Sequence, residues 1–280
     1  MRKIKVLLSY AQVIFREGIH FTLSGEEDFE VTSESTNNDE ALTFLKANPP
    51  DIAMLSFKNG KLDGYGVTRY IKRNFPSVSV ILILDNEDED QILTAMKSGA
   101  RACIYKDAAP EDLIGIVREV SQGSQPIVEA LLKPGLASRV SVEFKDSSAL
   151  NEQIGDLLAA LSPTEVSILD GIAAGGTIEQ VTNQLNTDET TIRHQLRQII
   201  NKLVINDQNK AIIEVALRNL PSLFTPAAPT RKRESRYLTR KELTKFKEDL
   251  IERCKELIDE LAQHHKSGGL SRSQPETMAR

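Results

Sequence analysis

Two cysteines in 280 residues leave almost nothing for a disulfide framework or a thiolate metal site. Cys103 sits inside an apolar run and Cys254 lies far along the chain in a segment of helical pattern, so neither a structural disulfide nor a cysteine-bound metal is expected. Long hydrophobic runs are missing too. None approaches the roughly 20 residues a membrane span needs, and the apolar stretch in the opening MRKIKVLLSY is too short for a secretion signal. The expected setting is the cytoplasm, without a membrane partner. No nucleophile–base pair or metal-ligand constellation is recognisable, so an enzyme is not expected and no cofactor or metal is assigned.

What is present suits a globular protein. A hydrophobic content of 40% is ordinary, and 280 residues suffice for two domains with separate cores. The net charge of -5 is unevenly spread: residues 1–154 carry 17 basic and 23 acidic side chains, 155–223 carry 5 and 8, and 224–280 carry 13 and 9. Positive charge is therefore concentrated in the last fifth of the chain.

From the N-terminus, strand-length apolar runs alternate with helical patterns. The strands are expected at 4–8, 29–32, 52–55, 78–84 and 102–105, with helices near 13–24, 39–47, 65–74, 88–98 and 110–121. This alternation predicts an α/β domain with a five-stranded parallel sheet covered on both faces, flavodoxin-like, and functional residues at the carboxyl ends of the strands.

A different pattern occupies 161–203. Ser162, Pro163 and Glu165 make a helix start with cap, first-turn proline and capping-box acid, and Gly175-Gly176 close that helix. Thr177 caps a short helix, Asn186 makes a turn, and Asp188 caps a third helix whose apolar side is Ile192, Leu196, Ile199, Ile200 and Leu203. Its other side offers Thr191, Arg193, His194, Arg197 and Lys202. An all-α helix-turn-helix of this kind sets a recognition helix into the major groove of double-stranded DNA.

The landmarks REG at Arg16–Gly18, Pro50-Asp51, Asp63-Gly64, Gly99-Ala100 and YKDAAPEDL from Tyr105 resemble the receiver domain of a two-component response regulator. LSPTE, LDGIAAG, TIEQV and TTIRHQLRQIINKL resemble the LuxR-type helix-turn-helix, and the whole is similar to the NarL/FixJ type. The resemblance implies a transcription regulator of the response-regulator type, acting as a homodimer, with base reading by Arg193, His194 and Arg197 and a phosphate contact from Thr191. It also implies a pocket in which an aspartate accepts a phosphoryl group beside an acidic pair that holds Mg²⁺. Here that pocket is degenerate. Tyr10 and Ala11 stand where the acidic pair belongs, Ser56 where the acceptor belongs, Asp85 in place of a hydroxyl residue and Cys103 in place of an aromatic switch. Lys106 alone is retained. A pseudo-receiver independent of aspartyl phosphorylation is therefore expected, with a salt bridge to Asp85 as the plain role of Lys106 and a small-molecule effector left open. The helix-turn-helix departs as well, with Glu179 where a basic residue is usual and Gln195 where a histidine is usual.

The expected division is 1–122 pseudo-receiver, 123–154 linker with short helical pieces, 155–223 helix-turn-helix, 224–238 Pro/Ala-rich and basic linker, 239–265 amphipathic helix and 266–280 disordered tail. The run Asn86–Gln91 reads as a solvated helix start, and Asn209–Leu220 as a fourth, subunit-pairing helix. In 239–265, Leu243, Phe246, Leu250, Cys254, Leu257 and Leu261 recur three or four apart, a stripe suited to a protein partner, a second copy or the chain itself. The alternative reading is a protein-interaction adaptor whose helix-turn-helix no longer binds specific DNA, favoured by the acidic balance of 155–223.

Overall fold

A computed structural model describes residues 2–154, 157–223, 251–252 and 255–256. The chain divides into two compact units: Met1–Ala149 with Ala159–Asp207, and Leu150–Leu158 with the residues from Gln208 onward.

The first unit is built on a parallel sheet of β1 (Ile4–Ser9), β2 (Phe29–Ser35), β3 (Ile52–Ser56), β4 (Ser79–Leu84) and β5 (Ala102–Tyr105), in the order β2-β1-β3-β4-β5. Every residue of β3 and β4 is buried. That explains why these strands read as unbroken apolar runs: helices cover both faces. On one face α1 (Val13–Ser24) and α5 (Pro110–Ser121) bury Ile19, Leu23, Leu113 and Val117 against Val6, Leu8, Met54 and Ile83. On the other, α2 (Asn38–Ala47), α3 (Gly64–Asn74) and α4 (Glu89–Ser98) bury Leu45, Ile71, Ile92 and Met96 against Leu7, Leu55 and Leu82.

Residues 123–154 are more ordered than short helical pieces. After Gly123, with φ +89°, comes a 3-10 segment, Pro126–Leu132, and then α6 (Pro134–Ile154), one helix of 21 residues. Nothing after Gly135 breaks it. Ser147 and Ser148 turn their hydroxyls back onto the carbonyls of Glu143 and Phe144, at 2.7 and 3.0 Å, so the polar KDSS stretch stays helical. Val128, Leu131, Leu136, Val140 and Phe144 join the buried cluster that contains α4. Ion pairs fasten the same contact: Lys133 with Glu87, Arg139 with Asp90, and Lys97 with Glu143 at 2.8 Å. The acidic run at the start of α4 is thus not merely a solvated helix start, because Glu87 and Asp90 anchor the linker.

The buried cluster continues into α7 (Pro163–Ala173), α8 (Ile178–Leu185) and α9 (Glu189–Leu223) through Ile168, Ile172, Val181, Ile192, Leu196 and Ile199. Ser162 and Thr177 each form a capping box, and Asn186 adopts the left-handed conformation (φ 51°, ψ 51°) that makes the turn. The recognition helix and the expected fourth helix are one continuous α9, since no glycine or proline separates Leu203 from Asn209. In the second unit the Asn151 amide exchanges hydrogen bonds with the backbone of Leu158 at 2.8 and 3.0 Å, and Asn209 donates to the Leu157 carbonyl at 2.9 Å. Residues 251–252 and 255–256 are helical; the rest of the expected helix 239–265 and the expected tail lie outside the described residues.

Truncating Phe144, which is 4% exposed, should cost about 3 to 5 kcal/mol of unfolding free energy in a denaturant titration. A cost below about 1 kcal/mol would mean that α6 does not belong to the core.

Candidate phosphorylation pocket and nucleic-acid interface

The carboxyl ends of the strands converge as a parallel sheet requires, and the residues there are mostly neutral and mutually bonded. Asn38, at the start of α2 and fully buried, is the centre. Its amide donates to the carbonyls of Ser56 at 2.9 Å and Leu62 at 3.2 Å, and its carbonyl accepts from the Ser9 hydroxyl at 2.9 Å. Asn59 in turn donates to the Ser9 oxygen at 3.4 Å. Ser56 is buried and donates its own hydroxyl to the Lys58 carbonyl at 3.2 Å. Gly64 fits against this corner because it has no side chain: a Cβ there would lie 2.9 Å from the Phe57 Cα.

Tyr10 is buried, with its ring 4.6 Å from that of Phe15, and the Arg16 guanidinium donates to its carbonyl at 2.8 Å. The Lys106 ammonium pairs with Asp85 and lies 5.5 Å from the centre of the Tyr10 ring. Its pKa is raised above the ordinary lysine value, first by the hydrogen bond to Asp85, so it stays charged. Ala11 is exposed and offers no ligand atom. Cys103, where the resemblance calls for an aromatic switch, is pushed up to about 12 by burial and stays a thiol.

Of the five pocket residues read from the sequence, Tyr10, Asp85 and Lys106 come together, Ser56 is turned into its own loop and Ala11 is outside. The residues present do not fit Mg²⁺. A hard divalent cation needs several anionic or carbonyl oxygens, and here the one carboxylate among the five is held by an ammonium. Asn38 and Asn59 were not singled out from the sequence; asparagines ahead of a helix look like cap and turn residues, and nothing local reports that Asn38 points inward.

On the helix-turn-helix the recognition side of α9 is largely engaged. Arg193 pairs with Glu129 of the 3-10 segment and with Glu189, whose oxygen lies 2.7 and 2.8 Å from two guanidinium nitrogens. Both carboxylates raise its pKa, Glu129 first. Arg197 is exposed, has no ion-pair partner among the described residues, and lines with Arg193, Glu119, Gln125 and Glu129 a polar cavity of about 400 Å³. The Thr191 backbone amide and hydroxyl each donate to Asp188 at 2.9 Å, which commits Thr191 to the helix cap, and these bonds, the amide's first, hold the Asp188 carboxyl below its ordinary pKa. Lys202 donates at 2.6 Å to Glu165, a carboxylate only 2% exposed, and so points into the domain rather than toward a groove. His194 is exposed beside Gln198. The sequence placed these five donors on one face; in the structure His194 and Arg197 have no charged partner among the described residues.

Comparison with known proteins accounts for both regions. Residues 11–118 match the response regulator receiver domain, and residues 159–215 match the luxR family of bacterial regulatory proteins. The transcriptional regulatory protein LnrK of Bacillus subtilis is 26% identical over 75% of this chain and 95% of its own length. The response regulator protein VraR of Staphylococcus epidermidis is 25% identical over 78% and 98%, and the transcriptional regulatory protein DegU of Brevibacillus brevis 24% over 76% and 92%. RcsB from Salmonella enterica serovar Typhimurium, solved bound to a promoter, superposes with a TM-score of 0.42 at 22% identity, covering 72% of this chain and 93% of that one. A parallel receiver sheet followed by a capped, Asn-turned helix-turn-helix, matched in order along the same chain, places it in the family of response-regulator transcription factors that join a receiver domain to a luxR-family DNA-binding domain.

Proposed function

We propose that this chain regulates transcription without aspartyl phosphorylation: a pseudo-receiver over 1–122, a DNA reader over 155–223 and a partner-binding helix over 239–265, working as a homodimer in the cytoplasm and not as an enzyme. The observation that carries the first part is the set of hydrogen bonds around Asn38. The acceptor's place is a serine whose hydroxyl is already donated, and the remaining cation is neutralised by Asp85. Among the five pocket residues neither an unpaired carboxylate nor a set of oxygens suited to magnesium is left for phosphoryl chemistry.

Arg193 and Arg197 would read bases, with His194 beside them, and Thr191 and Lys202 would contribute to phosphate binding only after leaving Asp188 and Glu165. In the described arrangement Glu129 occupies Arg193 as a DNA acceptor would. Control then lies in whether the 3-10 segment releases α9. A homodimer suits the charge count: a reader carrying 5 basic and 8 acidic residues attracts phosphate weakly, and two copies on one site compensate. The engagement of Arg193 by Glu129 also favours the second reading, an adaptor whose helix-turn-helix no longer reads DNA.

Selection of bound genomic fragments decides between the two. The regulator reading predicts enrichment of a sequence by the full chain, reduced in a chain ending at Leu223, which lacks the basic tail; no enrichment by either would leave the adaptor. Replacing Glu129 by Ala should tighten binding to an enriched site a few-fold, about 1 kcal/mol, the size of a partly exposed ion pair; unchanged binding in a fluorescence titration would remove Glu129 as a latch. Arg197→Ala should weaken the same site by about 1 to 3 kcal/mol and relax its base preference.

A further inference from the structure

At the end of α5 the chain turns back on itself before it enters the linker. Gly123, with φ +89°, allows the reversal. The amides of Gln122 and Ser124 donate to the Glu119 carbonyl at 3.2 and 3.0 Å, and the Arg101 guanidinium donates to the Gly123 carbonyl at 3.0 Å. The turn is thus held by its own backbone and by the residue that precedes β5. Together with the 3-10 segment and α9 it encloses the polar cavity of about 400 Å³ beside Arg193 and Arg197. Small-molecule sites fall in the range of roughly 300 to 1,000 Å³, so this concavity is of a size to hold one.

The charges that line it are not equivalent. Arg193 and Glu129 are paired with each other, and Glu189 holds Arg193 as well. Arg197 and Glu119 are left over. Both are exposed, neither has an ion-pair partner among the described residues, and they do not pair with each other. A simple anion drawn to Arg197 would meet the Glu119 carboxylate, and a simple cation drawn to Glu119 would meet the Arg197 guanidinium. A molecule carrying both charges meets each with its opposite. Gln122, Ser124 and Gln125 add neutral donors and acceptors to the same cavity, and Pro126 and Val128 a small apolar wall.

We propose that this cavity binds a small zwitterion of the free amino-acid class, its carboxylate on the Arg197 guanidinium and its ammonium on the Glu119 carboxylate. A guanidinium takes a carboxylate through two parallel hydrogen bonds, which fixes the orientation of the ligand. Bound there, the ligand ties the end of α5 to α9 and occupies an arginine that a DNA base would need, so it opposes DNA binding. The site stands on the cavity and its two unpartnered charges; its effect on DNA rests on the reading of α9 as a DNA reader.

The site is tested without DNA, by calorimetric titration of the full chain with each of the common amino acids. Acetate and ethylamine serve as probes with one charge, and glycine betaine as a zwitterion whose nitrogen has no proton to donate. The expected result is saturable binding of at least one amino acid at millimolar concentration or below, with none of the three controls bound. Glu119→Gln and Arg197→Gln should each weaken that binding about ten-fold or more, the loss expected for a hydrogen bond between charged groups. No binding by any amino acid, equal binding of a control, or binding indifferent to both changes would each overturn the site. An unchanged thermal transition of each variant by circular dichroism shows that lost binding is not a lost fold. With a DNA fragment enriched by the full chain, the saturating amino acid should weaken DNA binding several-fold in the unmodified protein and leave it unchanged in Glu119→Gln. DNA affinity that does not respond would overturn the opposition to DNA. If no DNA is bound at all, the reading of α9 fails while the calorimetry still decides the site.

Discussion

One buried amide governs the functional edge of the sheet. Asn38 has no contact with solvent, so its donor and acceptor must be satisfied within the protein or cost about 1 to 3 kcal/mol each. It meets that demand by joining the end of β1, through Ser9, to the end of β3, through the Ser56 carbonyl, and to the loop that follows, through Leu62. In doing so it fills the corner between these strand ends with neutral hydrogen bonds. The second element of the edge is the Lys106–Asp85 pair above Tyr10, in which an ammonium and a carboxylate neutralise each other. A pocket built this way is self-contained.

The consequence reaches the DNA reader through the linker. If the strand ends do not respond to a phosphoryl group, information has to enter elsewhere, and the linker is the element in contact with both parts. α6 is fixed to α4 by Phe144, Val140 and three ion pairs, while the 3-10 segment before it presents Glu129 to Arg193. Arg69 on α3 adds a second tie to α9, donating to Asp207 at 2.6 and 3.2 Å. Burial makes the first contact durable. The Arg193 and Arg69 contacts are electrostatic and partly exposed, hence weaker and sensitive to salt. These two ties are the salt-sensitive part of a contact that the buried cluster shared with α7, α8 and α9 also holds.

Much of this was legible in the residues. β3 and β4 announced themselves because strands buried on both faces must be apolar throughout, and Ser162, Thr177, Asn186 and Asp188 fixed α7, α8 and the start of α9 by local chemistry alone. That Tyr10 and Ser56 stand at the carboxyl ends of β1 and β3 was readable by position. What could not be read depends on partners distant in the chain. Gly123, Pro126, Pro134 and Gly135 look like loop punctuation, yet Pro134 is a first-turn proline of a 21-residue helix whose stability comes from packing on α4. Glu87 and Asp90 look solvated until Lys133 and Arg139 appear opposite. Nothing in PIVEALL tells that Glu129 faces an arginine 64 residues later. Asn38 is the same case: a cap-like residue by sequence, a buried bridge by structure.

The central claim is that the strand-end pocket has exchanged phosphoryl chemistry for internal hydrogen bonding. Incubation of the full chain with a small acyl phosphate and Mg²⁺, followed by intact-mass measurement and peptide mapping, tests it directly. The predicted result is an unchanged mass. A stable gain of one phosphoryl group on residues 1–122 would contradict it.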